Sequence, residues 1–175
     1  MKKQKGFVIW FTGLSGAGKT TLADKTYEEL SRLGYNLERL DGDTIRQNLT
    51  KDLGFSREDR AENIKRVAYV CSLLSKHGVG VIASFISPYK SEREIVREKS
   101  TNFIEVHVST PLNICEKRDP KGLYAKARRG EIKNFTGVND PYENPENPEV
   151  LICGDKKENI RGNIREVVKY LRKLA

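Results

Sequence analysis

The sequence predicts an α/β fold: a parallel sheet of five strands flanked by helices, with a lid segment. Three observations carry that prediction. Short apolar runs alternate with amphipathic helical patterns about five times, the order of an α/β domain with helices on both faces of its sheet. The first alternation contains Gly13-Leu14-Ser15-Gly16-Ala17-Gly18-Lys19-Thr20, which fits G-x-x-x-x-G-K-[ST] at every fixed position. The 175 residues contain no evident linker and suit one domain, residues 1–175, with a full core.

Taken in order, residues 7–11 form an apolar run that predicts a buried strand. After the glycine-rich loop comes a helix carrying Leu22, Ala23, Tyr27 and Leu30, ending near Leu33 with Gly34 beyond it. In that context glycines let backbone N–H groups turn toward a polyphosphate, and the helix N-terminus adds positive potential. Lys19 is placed to reach the β/γ-phosphates and Thr20 to put its hydroxyl on Mg²⁺. Residues 37–40 predict a short strand running into Asp41-Gly42-Asp43, where open α/β sheets bind ligands. Residues 44–49 read as a short helix and Gly54-Phe55 as a turn. Ser56 and Asp59 pair to cap a longer helix with Ile64, Val67, Ala68, Cys71 and Leu74 inward, closed by His77-Gly78.

Residues 79–85 predict a strand, followed by the loop Ile86-Ser87-Pro88-Tyr89. Ser91 with Glu94 reads as a second capping box, opening a helix to about Lys99. Residues 103–108 form the next strand, and Thr110-Pro111 starts a helix with proline first. Residues 119–148 hold four of the six prolines and many charges, with one helical stretch at 123–129. So long a connection is usually functional or disordered, and Tyr124, Phe135 and Tyr142 argue against disorder; it reads as a mobile lid over the phosphate loop. Residues 149–153 predict the last strand. Asp155 caps a final helix whose apolar face is Ile160, Ile164, Val167, Val168 and Leu171.

A net charge of +8 favours anionic partners. Nucleic acid is one candidate, but the basic residues are dispersed among acidic ones, and phosphorylated small molecules account for the charge equally well. Cys71, Cys115 and Cys153 form no C-x-x-C pair, which disfavours zinc and redox motifs and suits reduced thiols in the cytoplasm. His77 and His107 lie far apart and give histidine–metal chemistry little support. The lysines at the N-terminus precede an apolar run too short for a signal peptide, and no stretch approaches the ~18 apolar residues of a membrane span.

Three further groups fall near predicted strand ends. Asp41 and Asp43, with Arg46, could hold Mg²⁺ or orient an acceptor hydroxyl; an acidic turn that caps the next helix fits the spacing equally well. Phe55, Arg60 and Asn63 could stack a base and grip an anion, although spacing alone favours Phe55 packed on its own helix. Lys117, Arg118 and Lys121, at the mouth of the lid, could stabilise charge on a transferred phosphoryl group or form a solvated charged loop.

Together these residues resemble the adenylyl-sulfate kinase (APS kinase) family. The resemblance rests on residues 13–20, Leu-Asp-Gly-Asp at 40–43, Leu-Gly-Phe-Ser-Arg-Glu-Asp-Arg-Ala-Glu-Asn-Ile at 53–64 and Phe-Ile-Ser-Pro-Tyr at 85–89. Arg-Asp-Pro-Lys-Gly-Leu-Tyr at 118–124, Asn-Phe-Thr-Gly at 134–137 and Asp-Pro-Tyr-Glu-Asn-Pro-Glu-Asn-Pro at 140–148 extend it through nearly the whole chain. It implies a P-loop kinase fold with sheet order 2-3-1-4-5, a homodimer, and transfer of the ATP γ-phosphate to the 3′-hydroxyl of adenosine 5′-phosphosulfate (APS). It also implies the roles of individual residues. Gly13, Leu14, Ser15, Gly16, Ala17, Gly18, Lys19, Thr20 and Thr21 bind ATP, with Arg118 near its adenine. Thr20 and Asp43 serve Mg²⁺, and Asp43 also lies near the acceptor hydroxyl. Asp41, Arg46, Arg60, Asn63, Ile86, Ser87 and Lys121 lie on the acceptor side, where Phe55 and Phe135 sandwich the adenine. Ser87 matches a serine described in the family as a phosphoserine intermediate. Positioning and charge stabilisation suffice for phosphoryl transfer, so substrate contact or loop shaping is the expected role here. Thr44 departs from the family's common asparagine but leaves both carboxylates in place. No extension supports the redox disulfide of the plant enzymes. Three rivals remain: another small-molecule kinase of this fold, a nucleotide-sensing domain without catalysis, and a nucleic-acid-binding ATPase.

Overall fold

The structure, a computed structural model, describes residues 4–154 and 159–174. Five parallel strands form one sheet in the order β2-β3-β1-β4-β5: β1 Phe7–Thr12, β2 Leu37–Asp41, β3 Gly80–Ser84, β4 Phe103–Val108 and β5 Val150–Ile152. The sheet order is the one the resemblance implies. Because the strands are parallel, their C-terminal ends at Thr12, Asp41, Ser84 and Val108 all open on the same edge, and that edge carries the site.

Side chains along β1 alternate between two cores, as strand geometry requires. Phe7, Ile9 and Phe11 pack with Leu22, Ala23 and Leu30 of α1 (Lys19–Arg32) and Ile164, Val167 and Leu171 of α7 (Ile160–Leu174). Val8 and Trp10 face the other way, onto Ile64, Val67, Ala68 and Cys71 of α3 (Arg57–Lys76) and Val96 of α4 (Lys90–Lys99). A strand buried on both faces reads as a continuous apolar run, which is why β1 was legible.

Local signals set most boundaries. Leu33 ends α1, and Gly34 takes the left-handed conformation just beyond it. Ser56 caps α3, its hydroxyl accepting the Asp59 amide at 3.1 Å. The last described helix buries Ile164, Val167, Val168 and Leu171 as expected, while Asp155, expected to cap it, lies outside the described residues.

Three boundary expectations are corrected. The short helix α2 is Gly42–Gln47 rather than 44–49, because the Asp41 carboxylate caps it by accepting the Asp43 amide at 3.0 Å. Helix α4 does not open on Ser91. Tyr89 is its N-cap without a side-chain cap, and the Glu143 carboxylate, reaching across from residues 119–148, takes the Lys90 amide at 2.7 Å. Pro111 is the N-cap of α5 (Leu112–Arg118) rather than its first helical residue.

The 119–148 segment contains α6 (Leu123–Arg128) and is fastened to the body at several points. Tyr124 donates to the Ser15 carbonyl at 3.0 Å, Tyr89 donates to Asp140 at 2.9 Å, and the Tyr142 hydroxyl meets Thr12 at 2.9 Å. Among the described residues no helix is long and apolar enough to cross a membrane.

Candidate active site

The phosphate loop joins β1 to α1. Gly18, at φ 104°, is the N-cap of α1, a conformation that side-chain-bearing residues rarely adopt. At Gly13, a Cβ would lie 2.6 Å from the Val108 carbonyl, so only glycine lets the loop leave β1 so close to β4. Lys19 is buried and donates to the Leu14 carbonyl at 2.7 Å, bridging the loop it follows. Burial lowers its pKa to about 8, with Cys115 and Asp41 opposing the shift. A cation short of counter-charge at this position is poised to receive phosphate oxygens.

The Thr20 hydroxyl donates to Asp41 at 3.3 Å. Asp41 also accepts from Ser84 at 2.9 Å and lies 3.5 Å from Arg39, whose guanidinium bonds Ser84 as well. Burial opposes ionisation of Asp41, but the Asp43 amide, Ser84, Arg39 and Thr20 together hold its pKa below the ordinary value. Asp43, matched by the resemblance to the metal, points elsewhere and pairs with Lys121 from the start of the 119–148 segment. The carboxylate beside Thr20 is therefore Asp41. The two acidic-turn readings coexist, since Asp41 caps α2 and faces the loop with the same side chain.

Ser15, Gly16, Gly18, Lys19, Thr20 and Thr21 line a cleft of about 360 Å³, large enough for a small ligand. Arg46, Phe55, Arg60, Asn63, Ile86, Ser87 and Phe135 line the same cleft, as do Asp41, Asp43 and Lys121. The acceptor-side residues singled out from the sequence thus converge on the phosphate loop. Phe55 is 63% exposed, with the Arg46 and Arg60 guanidiniums 4.7 and 5.9 Å from its ring centroid. The reading that packs it on its own helix holds in part, since Arg60 of α3 lies over the ring, yet most of the side chain stays exposed to the cleft. Phe135 is buried against Tyr124, edge to face at 5.0 Å. Arg60 spans the cleft, bonding the Asn134 carbonyl and the Thr136 hydroxyl and tying α3 to the 119–148 segment. Asn63 is oriented by the buried Thr50 hydroxyl at 2.7 Å.

Gly13, Leu14, Ala17 and Arg118 do not line the cleft. Arg118 lies at the loop's outer rim, donating to the Gly16 and Gly154 carbonyls at 3.3 and 2.8 Å. Lys117 is exposed beside it.

Ser87 is 3% exposed and holds φ 40°, a strained value for a residue with a Cβ. Its hydroxyl donates to Thr12 at 3.0 Å and accepts from the Trp10 indole at 3.0 Å. Thr12 spends its own proton on the Ile86 carbonyl at 2.8 Å, so the Tyr142 hydroxyl is the donor in its contact with Thr12. Ser87 is thus the middle of a saturated hydroxyl chain that shapes the loop, and none of these partners is a base that could take its proton. The loop is held from behind by Arg93, which sequence reasoning missed. Its buried guanidinium donates to the Ser87 and Glu143 carbonyls at 2.7 Å each and pairs with Glu105 at 2.8 Å. Thr12, Trp10, Ser84 and Arg39 also escaped notice. Placement at strand ends was the one signal that could have flagged Thr12 and Ser84.

The family profile described as Adenylylsulphate kinase matches residues 5–153. The adenylyl-sulfate kinase of Halothermothrix orenii is 53% identical over 98% of this chain and 92% of its own length. A probable adenylyl-sulfate kinase of Pseudomonas aeruginosa is 59% identical over 87% of this chain and 71% of its own length. Among solved structures, the Mycobacterium tuberculosis APS kinase in complex with AMPPNP and APS superposes with a TM-score of 0.91, at 43% identity, covering 97% of this chain and 99% of that one. The hexameric APS kinase of Thiobacillus denitrificans superposes at 0.71 with 30% identity, covering 98% of this chain and 29% of that one. On this profile, these relatives and a phosphate loop that meets an arginine- and phenylalanine-lined cleft, the chain belongs to the adenylylsulphate kinase family of P-loop kinases.

Proposed function

We propose that this chain, as one kinase domain, transfers the γ-phosphate of ATP to the 3′-hydroxyl of APS, yielding 3′-phosphoadenosine 5′-phosphosulfate and ADP. The observation that carries the reading is the single cleft in which the phosphate loop faces Arg46, Arg60, Asn63, Phe55 and Phe135 across Asp41 and Asp43. Arginines suit an anionic acceptor and the two phenylalanines suit both faces of an adenine. Lys19 and the loop amides hold the donor's phosphates, with Arg118 at the outer rim toward its base. Lys121 neutralises Asp43 in the absence of substrate, and its ammonium can turn to the transferring phosphoryl group while Asp43 accepts the acceptor's hydroxyl proton.

The hydroxyl of Thr20 and the carboxylate of Asp41 are hard oxygen donors at the loop, a set that fits Mg²⁺. When bound, the ion would supply charge neutralisation on the phosphates. A homodimer in the cytoplasm, without nucleic acid or membrane partners, completes the proposal; sedimentation tests the assembly, since one structural relative is described as hexameric.

The test is ADP release with Mg²⁺-ATP and APS, beside AMP, adenosine and gluconate. Turnover with APS alone and a 3′-phosphorylated product supports the reading. Turnover with another acceptor discards the acceptor assignments, and no turnover despite tight ATP binding favours a nucleotide-sensing domain.

A further inference from the structure

One buried ionisable group in the cleft has no task in the account above. Glu92, the third residue of α4, is 2% exposed and lines the same cleft as Arg60, Asn63, Ser87 and Pro88. Neither of its carboxyl oxygens reaches solvent or makes a hydrogen bond. A buried, unsatisfied carboxyl costs stability, so its presence in a ligand cleft points to a partner that arrives with the ligand.

The charged groups around it come from three helices: Arg46 of α2, Arg57 and Arg60 of α3, and Arg93 of α4. Each is committed elsewhere. Arg46 donates to the Leu53 and Gly54 carbonyls, Arg57 lies 4.7 Å over the Tyr89 ring, Arg60 holds Asn134 and Thr136, and Arg93 pairs with Glu105. Burial therefore prevails over these cations and the nearby Tyr89 amide, and the Glu92 pKa rises to about 7. An anion that enters beside Arg46 and Arg60 would screen the positive charge that favours the carboxylate, and would repel the carboxylate itself. Both effects drive Glu92 toward its neutral form, whose O–H is a donor.

Resting on the proposed acceptor, we infer that Glu92 turns its carboxyl into the cleft as APS enters and receives the phosphosulfate as a neutral acid, donating a hydrogen bond to one of its anionic oxygens, so that acceptor binding takes up a proton from solvent. No bond is made or broken in APS; the proton moves from water to the carboxylate. Glu92 is then a specificity-determining residue that favours an oxyanion in the cleft and couples its affinity to pH.

The experiment is titration calorimetry of APS into the enzyme saturated with Mg²⁺-ADP, in buffers of different ionisation enthalpy. The phosphosulfate has no group that titrates between pH 6 and 8. Expected for the native chain is uptake of about half a proton per APS at pH 7, approaching one at pH 8, with affinity about tenfold weaker at pH 8 than at pH 6. Glu92→Gln, whose amide is always a donor, is expected to bind with no uptake and with pH-independent affinity. Glu92→Asp keeps an acid and is expected to keep the uptake. A purely structural role at the start of α4 would leave uptake absent in the native chain or equal in the Gln variant, and either result overturns the inference alone. Failure of APS to bind at any pH overturns the acceptor assignment with it.

Discussion

Replacing Arg93 by methionine is the sharpest test of how the acceptor loop is held. Arg93 is 3% exposed; its guanidinium closes three contacts, with Glu105, the Ser87 carbonyl and the Glu143 carbonyl. The substitution leaves Glu105, itself 5% exposed, with Arg97 at 3.3 Å as its remaining cation. Burial already pushes the Glu105 pKa up, and the charges of Arg93 and Arg97 oppose it. Breaking a buried pair on one side costs about 3–5 kcal/mol, and orphaning two carbonyls adds about 1 kcal/mol or more. A loss of about 4 kcal/mol or more is expected, lowering Tm by about 8–16 °C for a domain of this size. Urea denaturation monitored by circular dichroism measures it, and initial rates at varied APS should show a raised acceptor KM, because Ser87 and Pro88 lose their anchor. Glu105→Leu added to Arg93→Met removes the stranded charge and should recover about 2 kcal/mol. A single-variant loss below about 1 kcal/mol, or a double variant weaker than the single, would refute the reasoning.

Other outcomes follow from the same geometry. Lys19 must be charged to hold phosphates, so ATP affinity should fall about fivefold from pH 8 to pH 9 as it titrates near its lowered pKa of about 8; Lys19→Ala should bind weakly and without that slope in equilibrium titrations. Asp43→Ala should abolish transfer while ATP still binds; near-normal turnover in a coupled ADP assay would remove Asp43 from the reaction. Ser87→Ala should keep turnover within about tenfold, form no phosphoenzyme with labelled ATP, and lose about 1–2 kcal/mol because the Trp10 indole and Thr12 lose a partner. Burial and Arg93 lower the His107 pKa to about 4, so its neutral form in the fold makes stability fall by about 3 kcal/mol as pH drops from 6.5 toward 4. Glu92, raised to about 7, acts oppositely: its contribution is full below about pH 4.5 and is lost as pH rises through 7. Urea midpoints at pH 4.5 and 6.5 should therefore rise on acidification for His107→Phe and fall for Glu92→Gln; two flat responses would contradict both assignments.

The fold was legible where one physical signal dominated. Residues 7–11 are apolar throughout because β1 is buried on both faces, and the glycine pattern fixed the loop that follows. Helix α4 was misread at its start because its cap is not local: Glu143, 53 residues downstream, supplies it. The residues proposed for the acceptor were legible as a resemblance and only weakly as spacing, since Phe135 joins Phe55 and Arg60 in the cleft lining from a distant part of the chain. Residue types alone gave Asp41 and Asp43 equal standing beside the phosphate loop; in the folded chain Asp41 caps α2 and contacts Thr20, whereas Asp43 pairs with Lys121. Arg93 and Glu92 look like ordinary charges on an exposed helix face; both are buried by tertiary neighbours, Glu92 near the arginines of α3 and Arg93 against Glu105, Ser87 and Glu143.

Trp10 is the chain's one tryptophan, and its indole N–H ends on the Ser87 hydroxyl while its ring stacks on Phe85 at 4.8 Å. The molecule thereby contains its own optical gauge. Any shift of the acceptor loop that breaks the Trp10–Ser87 bond alters the indole's polarity and its emission, without a label and without disturbing the sites it reports on. Loop movement on ligand binding, which steady-state rates average away, becomes a fluorescence transient readable in a stopped-flow cell.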